Sequence, residues 1–378
     1  MGIVSLIRRE LANAFLHDAR RAIFLFGAAT AYLILFGILY YPGVVKDIPT
    51  VVCDEDHTAY SRMLVRYVDD DERLGLVRVV ADEEEARAML RQKEAYAAVI
   101  IPSHFSHDVL NGGHASVLFM LNGANIITTN IASTAGNDIV NTFNTRIASR
   151  QAALRTSGDE QALKKRISPI ETTLRVLNNP TQSYMMFFMV GLAMAAMQQG
   201  IFLAVGAAVQ GDFKDAAGLK GAPKIGVLAV KVILYWGLSV LSFTLVCVIS
   251  AFLGIPDRAP VTSLLAIASA FSFAAVSLGV LAASLFHNEL QFVRASIMYT
   301  VPAFIFGGYT WPLEAMDPVT RVIAQAFPMA WMSNAVRALF LSGHLASLTE
   351  NLAVLTAMGL VFLSLGSWIF LRRMNKMA

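Results

Sequence analysis

The sequence predicts an α-helical membrane protein with six transmembrane helices. An α/β plus long-helix extracytoplasmic domain is inserted between helices 1 and 2. Three observations carry this reading. Of 378 residues, 56% are apolar and 15% charged, where soluble chains average about 45–50% and about 25%. Several apolar segments reach the roughly 20 residues that a helix needs to cross about 30 Å of hydrocarbon. And 33 of the 57 Asp, Glu, Lys and Arg residues fall between Pro42 and Pro180, so one polar domain interrupts a lipophilic chain. The net charge of +3 is too small to point to a polyanion, and no nucleic-acid partner is expected. Two cysteines, Cys53 and Cys247, cannot build a disulfide framework.

The division runs in three parts: 1–41, 42–180 and 181–378. Residues 22–41 hold no charge and follow Arg8, Arg9, Arg20 and Arg21. A signal peptide has a shorter apolar core, about 7–15 residues, and a small-residue cleavage site. This run ends instead in Leu39-Tyr40-Tyr41-Pro42, which reads as an uncleaved span with interfacial tyrosines. Upstream, Ile3, Val4, Leu6, Ile7, Leu11 and Phe15 recur at helical spacing. That helix either lies in the membrane interface or extends span one into the cytosol. Further spans are expected at 183–209, 225–253, 261–286, 292–307 and 351–371. The third carries Lys231 near its start; the fifth is short and holds Arg294 and Pro302. Basic residues gather before span one, between spans two and three (Lys214, Lys220, Lys224) and at the end (Arg372, Arg373, Lys376). An even span count puts all three groups on the cytoplasmic side, and 42–180 outside.

The polar domain alternates strand-like and helix-like stretches, which suggests a small α/β sheet. Strands are expected at 50–53, 76–80, 95–101 and 116–121, and helices at 59–68, 82–92 and 103–110, with Ser103 as N-cap of the last. From 124 to 177 the pattern is purely helical, with an expected break near Ser157-Gly158.

Catalytic signatures are absent. No Gly-x-x-x-x-Gly-Lys-[Ser/Thr] loop occurs, and Gly218-Leu219-Lys220-Gly221 lacks its spacing. No zinc-protease helix or nucleophile elbow is found, and a membrane enzyme would need such a constellation. His104, His107 and His114 with Asp108 offer metal-type ligands, but their spacing matches no known pattern and they read as a solvated loop. The acidic runs 69–72 and 83–85 lack the glycine spacing of a calcium loop.

Polar groups within spans are costly and draw attention. Gln198 and Gln199 sit mid-span beside Met194 and Met197. They either line a translocation path or bond to a neighbouring helix. The methionines, including Met185, Met186 and Met189, fit either core packing or adaptable contact with an apolar ligand. Between spans two and three, mixed charge surrounds Phe213. The region 308–343 is too polar and proline-rich for a simple span, and reads as a re-entrant or interfacial cap.

Gly307-Gly308-Tyr309-Thr310-Trp311-Pro312, Met316, Pro328 and the Arg337 to Gly343 segment, with Asn179-Pro180 entering span two, resemble the membrane subunit of type-2 ATP-binding-cassette exporters. Val51-Val52-Cys53-Asp54-Glu55-Asp56 with Ser61-Arg62 resembles the large-ectodomain branch of that family. The resemblance implies a six-helix permease in a bacterial inner membrane, paired with a second permease copy or paralogue. It implies separate nucleotide-binding ATPase subunits that hold ATP and Mg, no cofactor in this chain, and periplasmic adaptor and outer-membrane duct partners. It also implies coupling to the ATPase through Asp212, Phe213, Lys214, Asp215 and Leu219, a translocation path at Met194, Met197, Gln198 and Gln199, and an outer gate at Tyr309, Trp311 and Glu314. The chain departs from the family just after span two, where Val209-Gln210-Gly211-Asp212-Phe213 stands in place of an acidic Glu-Arg-Glu-x-Gly-Thr-like motif. The competing reading is an ATPase-independent membrane receptor or secretion scaffold with a similar outer domain.

Overall fold

Apolar runs bounded by capping residues become the long helices. The computed structural model describes residues 2–41, 45–111, 115–156, 177–179, 183–216, 218–219 and 221–377. They fall into two units, Met1–Gly43 with Val176–Ala378, and Val44–Arg175. The first unit opens with α1 (Ile3–Ala12), a π-helical turn (Asn13–His17) and a bend at Asp18. The span α2 (Arg20–Leu39) follows.

In the second unit, β1 (Ile48–Asp54), α3 (Ala59–Asp69), β2 (Leu74–Val80), α4 (Glu83–Gln92), β3 (Ala97–Ile101), α5 (Phe105–Leu110), β4 (Leu118–Leu121) and α6 (Ile126–Thr156) follow in order. The chain then returns to the first unit with α7 (Tyr184–Lys214), α8 (Lys224–Phe252), α9 (Val261–Leu285) and α10 (Glu289–Ile305). A 3₁₀ turn (Leu313–Ala315), α11 (Pro318–Gln325), α12 (Pro328–Ser342) and α13 (Leu348–Met377) complete it.

Among the described residues, α2, α7, α8, α9 and α13 are long and apolar enough to cross a membrane. The fifth expected span is α10, whose 17 residues rise only about 25 Å at ~1.5 Å per residue. It starts three residues earlier than expected, because the Asn288 carbonyl oxygen of the side chain accepts the Gln291 N–H at 2.9 Å. At the start of α7, the Asn179 side chain clamps Ser183 from both sides, accepting its N–H and donating to its C=O, each at 2.9 Å.

α7 is apolar around its whole circumference, the pattern of a buried helix. It packs against α2, α8, α9, α10 and α12 at the centre of the first unit. At Gly200 the helix meets backbone: a Cβ there would run into the Phe24 carbonyl oxygen of α2. Phe24 belongs to a π-helical turn, Ile23–Gly27, and the adjacent Leu25 carbonyl accepts the Ser242 hydroxyl of α8 at 2.7 Å. The irregular turn in α2 is thus held by a small residue on one neighbour and a hydroxyl on another.

The second unit's sheet has strand order β2-β1-β3-β4, with β1 parallel to β2 and β3, and β4 antiparallel to β3. Alternation divides its side chains between two cores. Val52, Val99 and Ile101 meet α3, α5 and α6 on one face; Val51, Cys53, Ala98 and Ile100 meet Ala86 and Met89 of α4 on the other. The acidic motif after β1 is structural. Asp54 is buried and accepts the backbone N–H groups of Asp56 and His57 and the Ser61 hydroxyl. This fastens the end of β1 to the start of α3.

Three local expectations need correction. β3 begins at Ala97 rather than at 95, and β4 at Leu118 rather than at 116, where cross-strand pairing starts. Ser103 is not an N-cap. The turn closes between the Phe105 N–H and the Pro102 carbonyl at 3.0 Å, and the Ser103 hydroxyl sits 3.2 Å from His104 Nδ1. The break near Ser157-Gly158 lies outside the described residues.

Cys53 is fully buried, and burial pushes its thiol up to about 11. Only thiolate reacts quickly with maleimide. Mass spectrometry should therefore find Cys53 unlabelled in folded protein near neutral pH and labelled after denaturation; rapid labelling of folded protein would refute this burial.

Candidate functional site

At one end of the first unit, where residues 215–223 link α7 to α8, ionic side chains form a knot. α1 supplies Arg9 and Glu10, the following turn Asp18, α2 Arg20 and Arg21, α7 Asp212 and Lys214, α8 Lys231 and α10 Glu289. Its centre is Lys231, fully buried. The ammonium donates to Glu10 Oε1 at 2.8 Å and the Ala208 carbonyl at 3.2 Å, and lies 3.2 Å from Asp212 Oδ2. Arg21 reaches Glu10 Oε1 at 3.3 Å and Asp18 at 3.2 Å. Arg9 lies 3.5 Å from Asp212 and 3.0 Å from Asp215. At the rim, Glu289 stands 3.4 Å from Lys214 and 3.8 Å from Arg20. The knot balances five cations with five carboxylates. Burial opposes ionisation of Glu10, yet the Lys231 ammonium, with Arg21 and Arg9, holds its carboxyl below the usual range.

The knot explains the attitude of α1. Leu6, Glu10 and Ala14 are buried, while Ile3, Val4, Ile7, Leu11, Phe15 and Leu16 are exposed. An amphipathic helix ordinarily buries its apolar stripe. Here Glu10 is drawn inward by Lys231, and the apolar stripe is turned out.

The residues expected to couple to an ATPase fall on two kinds of surface. α7 continues to Lys214, so Asp212, Phe213 and Lys214 belong to its last turn and not to a loop. The charges that look like a loop in the sequence are paired across helices, which lets the helix run on. Phe213 is buried, with Phe370 5.3 Å away ring to ring and the Arg373 guanidinium 4.1 Å above it. Leu219 is buried too, whereas Lys214 and Asp215 are exposed. Gln210, within the stretch that departs from the family motif, donates to the Ala283 and Phe286 carbonyls at 2.7 and 2.9 Å. It caps the C-terminal end of α9.

Of the residues assigned to a path, Met194, Met197 and Gln198 are buried in the core of this chain. Gln199 bridges to α10. Its amide N–H donates to the Ser296 hydroxyl at 3.0 Å, and its carbonyl accepts the Thr300 hydroxyl at 2.6 Å. It ties helices together, while the Gln198 amide nitrogen has no hydrogen bond among the described residues.

The expected gate residues do not share one environment. Tyr309 is buried, its ring lodged against Gly191, where a Cβ would collide with it, and near Phe187, Phe188 and Phe304. Trp311 and Glu314 are exposed. Arg321 donates to the Leu313, Glu314 and Met316 carbonyls at 3.0, 2.8 and 3.2 Å and so holds the turn that carries Glu314. In the second unit, His104 and His107 are exposed, with His107 Nδ1 3.3 Å from Asp108, and His114 lies outside the described residues. Among the described residues no three metal-type side chains gather.

Sequence reasoning missed the partnership of Glu10 with Lys231. The available signals were a lone lysine inside an apolar run and a lone carboxylate in an amphipathic helix. Their separation of 221 positions hid the pairing.

A family model described as ABC-2 family transporter protein matches residues 21–368. No curated protein matches the sequence.

Proposed function

The chain belongs to the ABC-2 family of transporter proteins and is a membrane permease subunit of the kind that works with nucleotide-binding ATPase subunits; on that premise we propose that it serves an exporter of amphipathic or hydrophobic molecules. The carrying observation is the buried ionic knot beside the α7–α8 link. It joins α1, α7 and α8 into one block, so a push at the link moves three elements together. Exposed Lys214 and Asp215 are the groups available there to an ATPase, and Phe213 and Leu219 anchor the link from within.

In this reading α10, fifth in chain order, completes a set of six membrane segments and is bonded to α7 through Gln199. Both termini lie in the cytoplasm and 42–180 faces outward, in a bacterial inner membrane. The outward apolar stripe of α1 rests in the lipid interface. Two permease copies, or this chain and a paralogue, enclose the path, which opens alternately to either side. The segment around Tyr309, Trp311 and Glu314 closes its outer mouth, and an adaptor engages the outer domain.

A pull-down of the tagged chain in mild detergent, with mass spectrometry and an ATPase assay, tests this. The expected result is a copurifying Walker-motif subunit with vanadate-sensitive turnover. Repeated isolation of the chain alone under gentle conditions would overturn the exporter and favour a receptor or scaffold.

A further inference from the structure

Arg337 is the only charged residue of α12, and it is half-buried. Its guanidinium lies 4.9 Å from the centre of the Tyr309 ring and 5.4 Å from that of Phe187. The electron-rich faces of these rings attract and orient it. Nη2 donates to Asn334 Oδ1 at 2.7 Å and touches the Gly308 carbonyl at 3.5 Å. Nε and Nη1 have no hydrogen-bond partner among the described residues, and no carboxylate of those residues pairs with Arg337.

The contrast with other arginines of this unit is sharp. Arg9 and Arg21 are ion-paired, and Arg321 and Arg373 each satisfy three backbone carbonyls. A half-buried cation held in place by rings, with two of its three nitrogens unused, is prepared for an anion. Its two neighbouring rings are apolar, and further apolar side chains of the same unit face outward. Phe187 is 36% exposed and Trp311 59%, and α11 presents Val319, Val322 and Ile323 outward.

We infer that Arg337 is a binding site for a phosphate group, carried by an amphiphile whose chain lies along the apolar surface beside it. Nε or Nη1, together with the Nη2 hydrogen that only touches the Gly308 carbonyl at 3.5 Å, takes two phosphate oxygens while Tyr309 and Phe187 hold the guanidinium plane. Binding stands independently of the transport reading, because it needs neither ATPase nor a second permease.

The test uses the purified full chain in nonionic detergent and native mass spectrometry. Three probes are compared: phosphatidylglycerol, phosphatidylcholine with the same acyl chains, and inorganic phosphate. Phosphatidylglycerol should bind the wild type more tightly than phosphatidylcholine. Arg337→Gln should weaken phosphatidylglycerol binding about tenfold and phosphatidylcholine binding less, because the choline ammonium beside that lipid's phosphate already opposes the guanidinium. Arg337→Lys should fall between, since it keeps the charge and loses the fork. If Arg337→Gln does not fold, Arg337→Lys decides on the same readout. Retention of inorganic phosphate, lost in the variants, would support the site and assign it to the free ion. Equal binding of phosphatidylglycerol by wild type and variants, with no phosphate retained, would overturn it.

Discussion

Replacing Lys231 by methionine should destabilise the protein by about 3–5 kcal/mol. Methionine is unbranched and only one heavy atom shorter, so most of the loss is electrostatic. Glu10 is 3% exposed and Asp212 2%, and without the ammonium both carboxylates remain in an apolar interior with reduced compensation. Thermal melting in detergent should show a large drop, together with protease cleavage near α1 as that helix loses its inward hold. The triple variant Glu10→Gln, Asp212→Asn, Lys231→Met removes the charges together and should recover much of the loss, because burying ions carries its own desolvation cost. A Lys231→Met protein that melts like wild type would mean that the knot does not hold α1.

Gly200→Leu should be nearly as damaging, by about 3 kcal/mol. The added Cβ meets the Phe24 carbonyl, which is backbone and cannot rotate aside, so α2 must move away from α7. Its π-helical turn and the Ser242 bond to Leu25 would move with it. Gly200→Ala carries the same first atom and should also lower the melting temperature. Gly237 of α8 is the control, since a Cβ there meets nothing within 4 Å; alanine in that helix should be neutral or stabilising by about 0.5–1 kcal/mol. Equal melting of all three variants would contradict the close approach of α2 and α7.

The long spans were legible because an apolar run of bilayer length has few other fates. α2, α7, α8, α9 and α13 overlap the expected segments closely. The strands were legible because β-branched runs alternate with acidic helix starts. What stayed hidden depends on partners distant in sequence. α7 runs beyond residue 209 because Asp212 and Lys214 find opposite charges on α8, α1 and α10. Gln199 has two open roles in the sequence, and only Ser296 and Thr300 show it as a tie between helices. The facing of α1 was unreadable because its one inward carboxylate outweighs the ordinary rule that apolar faces turn in. Tyr309, Trp311 and Glu314 lie within six positions, yet a turn and one close glycine contact separate a buried ring from two exposed side chains.

The knot also sets an order of events in synthesis. Arg9, Arg20 and Arg21 are made long before Asp212 and Lys231. In the proposed topology, with the N-terminus in the cytoplasm, the early arginines act as retained positive charge while the first span inserts, because Lys231 does not yet exist and neighbouring carboxylates contribute little to orientation. Once the third span is in place, Glu10 meets Lys231 and Arg9 meets Asp212. On that topology the same residues first set which way the chain enters the membrane and later register that α8 has arrived. A chain truncated before α8 would keep its orientation but leave α1 unseated, its Glu10 without the ammonium that draws it in.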